Sequence, residues 1–145
     1  MEHLSIKLLR ADANPPTRQT HGSVGYDVKA CLDGPVVIPP AETRAITTGF
    51  AIALETGFAA FIYARSGLGI KHGIAPANCV GVIDSDYRGE VIVGLRNASD
   101  KPFTVNNGDR IAQLVISRCE LPEIVICEDL DETARADGGF GSTGR

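Results

Sequence analysis

Glycine and proline punctuate this chain from end to end, with 16 glycines and 8 prolines among 145 residues, about one position in six. The usual share is about 12%. Each glycine permits a turn that other residues resist, and each proline removes a backbone donor. Interruption this dense argues against a long-helix bundle or coiled coil and favours many short strands joined by turns. Segments rich in β-branched residues recur between the signals. Leu4–Arg10 alternates, Tyr26–Leu32 ends at Asp33-Gly34-Pro35, and Val36–Ile38 runs into Pro39-Pro40. Thr43–Leu54, Phe58–Ala64, Glu90–Arg96 and Arg110–Arg118 are longer, and Ile124–Cys127 is short. Asn106-Asn107-Gly108 lies between two such runs and signals a hairpin. The only helix expected is a turn or two after Ser66. The expected fold class is all-β, a distorted jelly-roll-like barrel or sandwich.

The length fits one domain, and 43% apolar residues can fill its core. We expect the β-roll over residues 1–130 and a separate arm over 131–145. The arm has almost no aliphatic residues and carries four glycines between Gly138 and Gly144. It cannot bury a core face, so we expect it to be mobile unless it docks. Net charge is −4, which disfavours general nucleic-acid binding. A small phosphate ligand remains open, because a few placed arginines suffice. No apolar run approaches a membrane span, and Met1–Arg10 does not read as a signal peptide. A cytoplasmic location is expected. Cys31, Cys79, Cys119 and Cys127 form no CxxC pair, so free buried thiols are expected rather than a zinc site. Asn97-Ala98-Ser99 matches a glycosylation sequon but carries no meaning without secretion.

Several motifs fail on context. Gly139–Gly144 matches GxGxxG, yet no helix can follow it. No P-loop, nucleophile elbow or zinc-deaminase signature occurs. Asp84-Ser85-Asp86 opens like a calcium loop, but Arg88 occupies the third ligand slot.

What remains is five polar clusters: Gly25-Tyr26-Asp27, Arg65-Ser66-Gly67, Asn78 to Gly89, Gly108 to Leu114, and the glycine-rich tail with Arg135. Each has a plain reading on its own. Asp84 can cap a turn, Arg65 can pair with an acid, and Gln113 can face water. Together they supply an anion clamp, a carboxylate beside an apolar strand, an amide and a second anion loop. That is an inventory for handling phosphate.

These clusters, in this order and spacing, resemble the five motifs of the trimeric deoxyuridine triphosphate nucleotidohydrolases, the dUTP diphosphatases. The most specific segments are Gly81 to Gly89, Gly108 to Leu114 and Gly138 to Gly144. The resemblance spans nearly the whole chain. It departs at Ala64, where the family usually has proline, at Gly69, where alanine is common, and at Ala136, where glycine is common. We expect these to alter loop stiffness, not chemistry.

The resemblance implies Mg²⁺-dependent hydrolysis of dUTP to dUMP and diphosphate, keeping uracil out of DNA and supplying dUMP for thymidylate synthesis. It implies Asp84 as the general base on the attacking water, at the α-phosphorus. It implies Gln113 holding that water and an α-phosphate oxygen, with Arg65, Ser66 and Gly67 on phosphate oxygens. Mg²⁺ would ride on the triphosphate, with Asp27 reaching it through water. Asn78 and the backbone at Val82 and Ile83 would read uracil on a β-hairpin, with Ile92 at the pocket wall. Tyr87 would pack under the sugar and exclude a ribose 2′-OH. Phe140 would stack on uracil while Arg135, Gly141, Ser142 and Thr143 grip the outer phosphates. It also implies a homotrimer whose sites are shared between subunits. Two alternatives stay open: a dCTP deaminase of the same fold, and a non-catalytic trimer that senses nucleotide or binds a partner.

Overall fold

The computed structural model describes residues 3–139. Ten strands and one short helix occur among them. They are β1 (Ser5–Leu8), β2 (Tyr26–Lys29), β3 (Val36–Ile38), β4 (Thr43–Ala53) and β5 (Phe58–Tyr63), then α1 (Ser66–His72). After the helix come β6 (Ile74–Pro76), β7 (Gly81–Ile83), β8 (Glu90–Asn97), β9 (Phe103–Val105) and β10 (Arg110–Arg118). One sheet has the order β1-β4-β8-β6, a second β2-β10-β5-β7, and β3 pairs with β9. Every pair is antiparallel.

The sequence's alternation sets which side chains face inward. Along β8, Val91, Val93, Leu95 and Asn97 are buried, while Ile92 and Arg96 between them are exposed. Successive residues on a strand point to opposite faces, so this pattern fixes the register against one core. That core joins all three sheets, with Val28, Ile38, Phe50, Ile62, Val93, Val105 and Leu114 in one cluster. The other face of the second sheet carries a different row. Phe61 stands opposite both Val115 and Val82. Val82 is 61% exposed.

Asn97 is the most buried polar residue of the sequon. Its Nδ2 donates to Ile38 O and Lys101 O, and its Oδ1 accepts from Ser99 N and Oγ. The amide therefore closes a turn inside the core, out of reach of any glycosylating enzyme.

Several expectations need correction. Asn106 to Gly108 does not make a hairpin, because β9 pairs with β3 while β10 pairs with β2 and β5. The turn's polar atoms go elsewhere: Asn107 Oδ1 accepts from Leu32 N, and Gly108 N donates to Ala30 O. The turn thus transfers the chain between sheets. Ile124 to Cys127 forms no strand and packs on nothing among the described residues; Ile124 and Ile126 are 94% and 95% exposed. All four cysteines are free, but only Cys31 is buried, and Cys79 and Cys127 are exposed. Burial pushes the Cys31 thiol up from its ordinary range. Among the described residues no helix is long and apolar enough to cross a membrane.

Candidate active site

The side chains expected to form the site gather, among the described residues, in two main groups. The first is a row across the second sheet. Asp27 on β2 lies opposite Gln113 on β10, and Gln113 lies opposite Tyr63 on β5. Residues directly opposed in a sheet share a face, so the three side chains stand together. Asp27 is buried, and its carboxylate accepts three hydrogen bonds. Arg65 Nε binds Oδ1 at 3.0 Å, while Gln19 Nε2 and Arg110 reach Oδ2 at 2.9 and 3.1 Å. Arg65 also donates to the carbonyl of Arg110 at 3.1 Å. A buried carboxylate demands such partners, and here the demand aligns two guanidinium groups side by side. Gly25 leaves room for the amide: a Cβ there would sit 2.9 Å from Gln113 Oε1.

Arg65 is the N-cap of α1, held extended at φ −89° and ψ 132°. The helix then opens on Ser66 and Gly67, both exposed. Ala64, in the link from β5, is exposed too, and Gly69 lies inside the helix.

The second group lines a cavity of about 250 Å³ between β7 and β8. Asn78, Val82, Ile83, Asp84, Tyr87 and Ile92 all border it. The expected β-hairpin is absent here. Gly81 to Ile83 pair with β5, while β8 pairs with β4 and β6. Residues 84–89 therefore span two sheets, and the cavity is the gap between them. Gly81 lets the wall close, because a Cβ there would lie 3.2 Å from Ile62 Cβ. The turn is tied by Tyr87 N to Asp84 O at 3.2 Å and by Arg88 to the carbonyls of Ser85 and Tyr87. The Tyr87 ring lies on Gly89, and its hydroxyl donates to Glu90 O at 3.0 Å. Asp84 is exposed at the cavity's edge.

Asp27, Arg65, Ser66, Gly67 and Gln113 do not line this cavity. Within one chain the residues expected to bind phosphate and those expected to bind the base form two separate groups. Arg135 is exposed and donates to Gly138 O at 2.8 Å. Ala136 has φ 43°, in the left-handed region that favours glycine. Phe140, Gly141, Ser142 and Thr143 lie outside the described residues.

The residue types alone did not single out Gln19, Arg110 or Glu90. Arg110 lies inside the cluster Gly108 to Leu114, which was a usable signal. Gln19 has none, because only the bridge of Thr17 to Asp27 brings its segment to β2.

Comparison with known proteins gives consistent results. A protein-family profile described as dUTPase matches residues 11–144. The deoxyuridine 5'-triphosphate nucleotidohydrolase of Desulfitobacterium hafniense is 47% identical over 149 residues, 99% of each chain. That of Burkholderia lata is 47% identical over 145 residues, 98% of each. Among solved structures, the dUTPase of Staphylococcus bacteriophage 80alpha with dUPNHPP superposes with a TM-score of 0.92 at 26% identity, covering 100% of both chains. A phage phi11 dUTPase of S. aureus, described as coordinating a structural Mg(II) ion, shares the fold at a TM-score of 0.82 and 24% identity, covering 90% of this chain and 100% of its own.

Proposed function

The chain belongs to the dUTPase family, and on that premise we propose that it hydrolyses dUTP to dUMP and diphosphate by carboxylate-activated attack of water on the α-phosphorus. The observation that carries this reading is the shared border of one cavity by Asn78, Asp84 and Tyr87. An amide for a base edge, a carboxylate for a water and a ring for a sugar meet at one gap.

Asp84 takes the proton of the attacking water, and Gln113 holds that water against an α-phosphate oxygen. Positioned base catalysis of this kind contributes about 10²–10⁴-fold. Arg65, Ser66 and Gly67 bind phosphate oxygens, with the Arg65 fork aimed by Asp27. Asn78 and the backbone at Val82 and Ile83 read uracil, Ile92 walls the pocket, and Tyr87 excludes a 2′-OH. Arg135, Phe140, Gly141, Ser142 and Thr143 close over the bound substrate as the arm 131–145. Removal of dUTP keeps uracil out of DNA, the dUMP formed supplies thymidylate synthesis, and the free thiols suit a reducing cytoplasm.

The donor set bears on magnesium. Among the described residues no three His, Cys, Asp or Glu side chains converge. The Asp27 carboxylate already accepts three hydrogen bonds, which leaves one lone-pair site for a metal-bound water. This fits Mg²⁺ carried by the triphosphate, with Asp27 in its outer sphere. When bound, the ion supplies neutralisation of charge on the phosphate oxygens.

The two groups, as half-sites, support a homotrimer with shared sites, in which one copy's Asp84 cavity meets another's Arg65 and Gln113. The apolar row of Phe61, Val82 and Val115, and the exposed Leu121, Ile124 and Ile126, are surfaces for neighbouring copies to cover.

Asp84→Asn tests the chemistry. It should bind dUTP with affinity near that of the parent and lose turnover by about 10²–10⁴-fold. Unchanged turnover removes Asp84 from the mechanism.

A further inference from the structure

We propose that Glu90 is a positioning residue that sets substrate selectivity, by fastening the start of β8 to the bulge of β4. The inference rests on the functional reading above and assigns a role to a residue that the reading does not use.

β4 and β8 pair regularly from Thr43 opposite Arg96 to Thr47 opposite Ile92, and again at Ala51 opposite Glu90. Between those points β4 advances from Thr47 to Ala51 while β8 advances only from Ile92 to Glu90. The surplus is a bulge, which takes amides off the regular ladder. The amides of Thr48 and Gly49 both donate to Glu90 Oε1, at 3.2 and 2.7 Å. The carboxylate supplies the acceptor that the ladder no longer offers.

The bulge is a firm anchor. Gly49 has φ 72°, and a Cβ there would meet Ala13 Cβ at 2.7 Å and Cys31 Sγ at 2.8 Å. Its carbonyl accepts from Leu9 N at 2.8 Å. Beside it, Thr48 Oγ1 donates to Val91 O at 2.6 Å.

The other end of Glu90 reaches the site. Its carbonyl accepts the Tyr87 hydroxyl, and it lines the cavity that Asn78 and Asp84 border. One residue therefore connects the rigid bulge, the ring that faces the sugar and the cavity wall. Exclusion of a 2′-OH or a 5-methyl group depends on ring and wall holding still. Without the carboxylate, two part-buried amides lose their acceptor, and the start of β8 carries Tyr87 away from its place.

The test measures kcat/KM for dUTP, UTP and dTTP on parent, Glu90→Ala, Glu90→Gln and Glu90→Asp. Ratios between substrates do not depend on the fraction of folded enzyme, so a general loss of stability leaves them unmoved. Glu90→Ala should lower the preference for dUTP over UTP and dTTP by about tenfold or more. Glu90→Gln retains an oxygen that accepts both amides and should stay within about threefold of the parent. Glu90→Asp is one methylene short and should lose selectivity, which keeps the test decisive if the alanine variant does not fold. Parental ratios in Glu90→Ala or Glu90→Asp overturn the proposal, as does a Glu90→Gln variant as permissive as alanine. If the parent fails to hydrolyse dUTP, the functional reading falls; an active parent with unmoved ratios sinks only the role of Glu90.

Discussion

Asp27 shows how one buried residue organises the side chains around it. Its carboxylate is buried and surrounded by donors from Gln19, Arg65 and Arg110. Replacing it with asparagine keeps the shape but turns one oxygen into a donor facing other donors. Removing one member of a buried ion pair typically costs 3–5 kcal/mol. The Arg110 side chain is 45% exposed, so water recovers part of its share, and we expect a loss of about 3 kcal/mol for Asp27→Asn. Urea denaturation should show it as a lower midpoint with an unchanged slope, and the KM for dUTP should rise as Arg65 loses its aim. A parental midpoint would mean that the arginines hold themselves. Residue type alone did not single out Asp84, Gln113 or Arg65, since the chain holds 18 acidic residues and each of the three has a plain reading; the ordered clusters and the family resemblance put them forward. They did not make the burial of Asp27 legible, because burial follows from which strands meet. Glu90 was hidden for the same reason: its partners lie some forty residues earlier, in a bulge that alternation does not announce.

At the scale of elements, the strands were readable and their partners were not. Thr43 to Ala53 and Arg110 to Arg118 appear close to where β-branched runs suggest. Yet Asn106 to Gly108 joins strands of different sheets, and residues 84–89 cross from β7 to β8 without pairing them. A turn signal states that the chain reverses; it does not state which edge the next strand finds. Glycines carry the corresponding demand. Gly49 combines φ 72° with a Cβ position under 3 Å from Ala13 and Cys31. Left-handed strain and overpacking each cost about 1–3 kcal/mol, so Gly49→Ala should destabilise by about 3 kcal/mol. Gly22→Ala, with nothing within 4 Å of its Cβ, should leave the midpoint within about 0.5 kcal/mol of the parent. Equal midpoints for the two variants would deny that the bulge is rigid.

At the scale of the molecule, one chain holds a cavity edged by Asp84 and, apart from it, a polar row of Asp27, Arg65 and Gln113. Charge divides along the chain as well. Between Cys119 and Gly139 there are seven acidic residues and one arginine, interleaved with the exposed Leu121, Ile124, Ile126 and Leu130. An exposed segment of this composition is stable when another surface covers it. Both features suit closed symmetric assembly, in which every copy gives and receives the same elements. Sedimentation should report a mass of about 46 kDa, three times the 15.3 kDa chain. Mass alone leaves the sharing of sites open, and complementation addresses it. Asp84→Asn and Arg65→Ala should each be nearly inactive alone. Unfolded together in equal amounts and refolded, they assort at random. A site then works when its Arg65 comes from the first variant and its Asp84 from the second, about one site in four. Turnover near a quarter of the parental value is expected. Turnover no greater than that of the separate variants would place both groups on the same chain, and the two half-sites would have to meet within it.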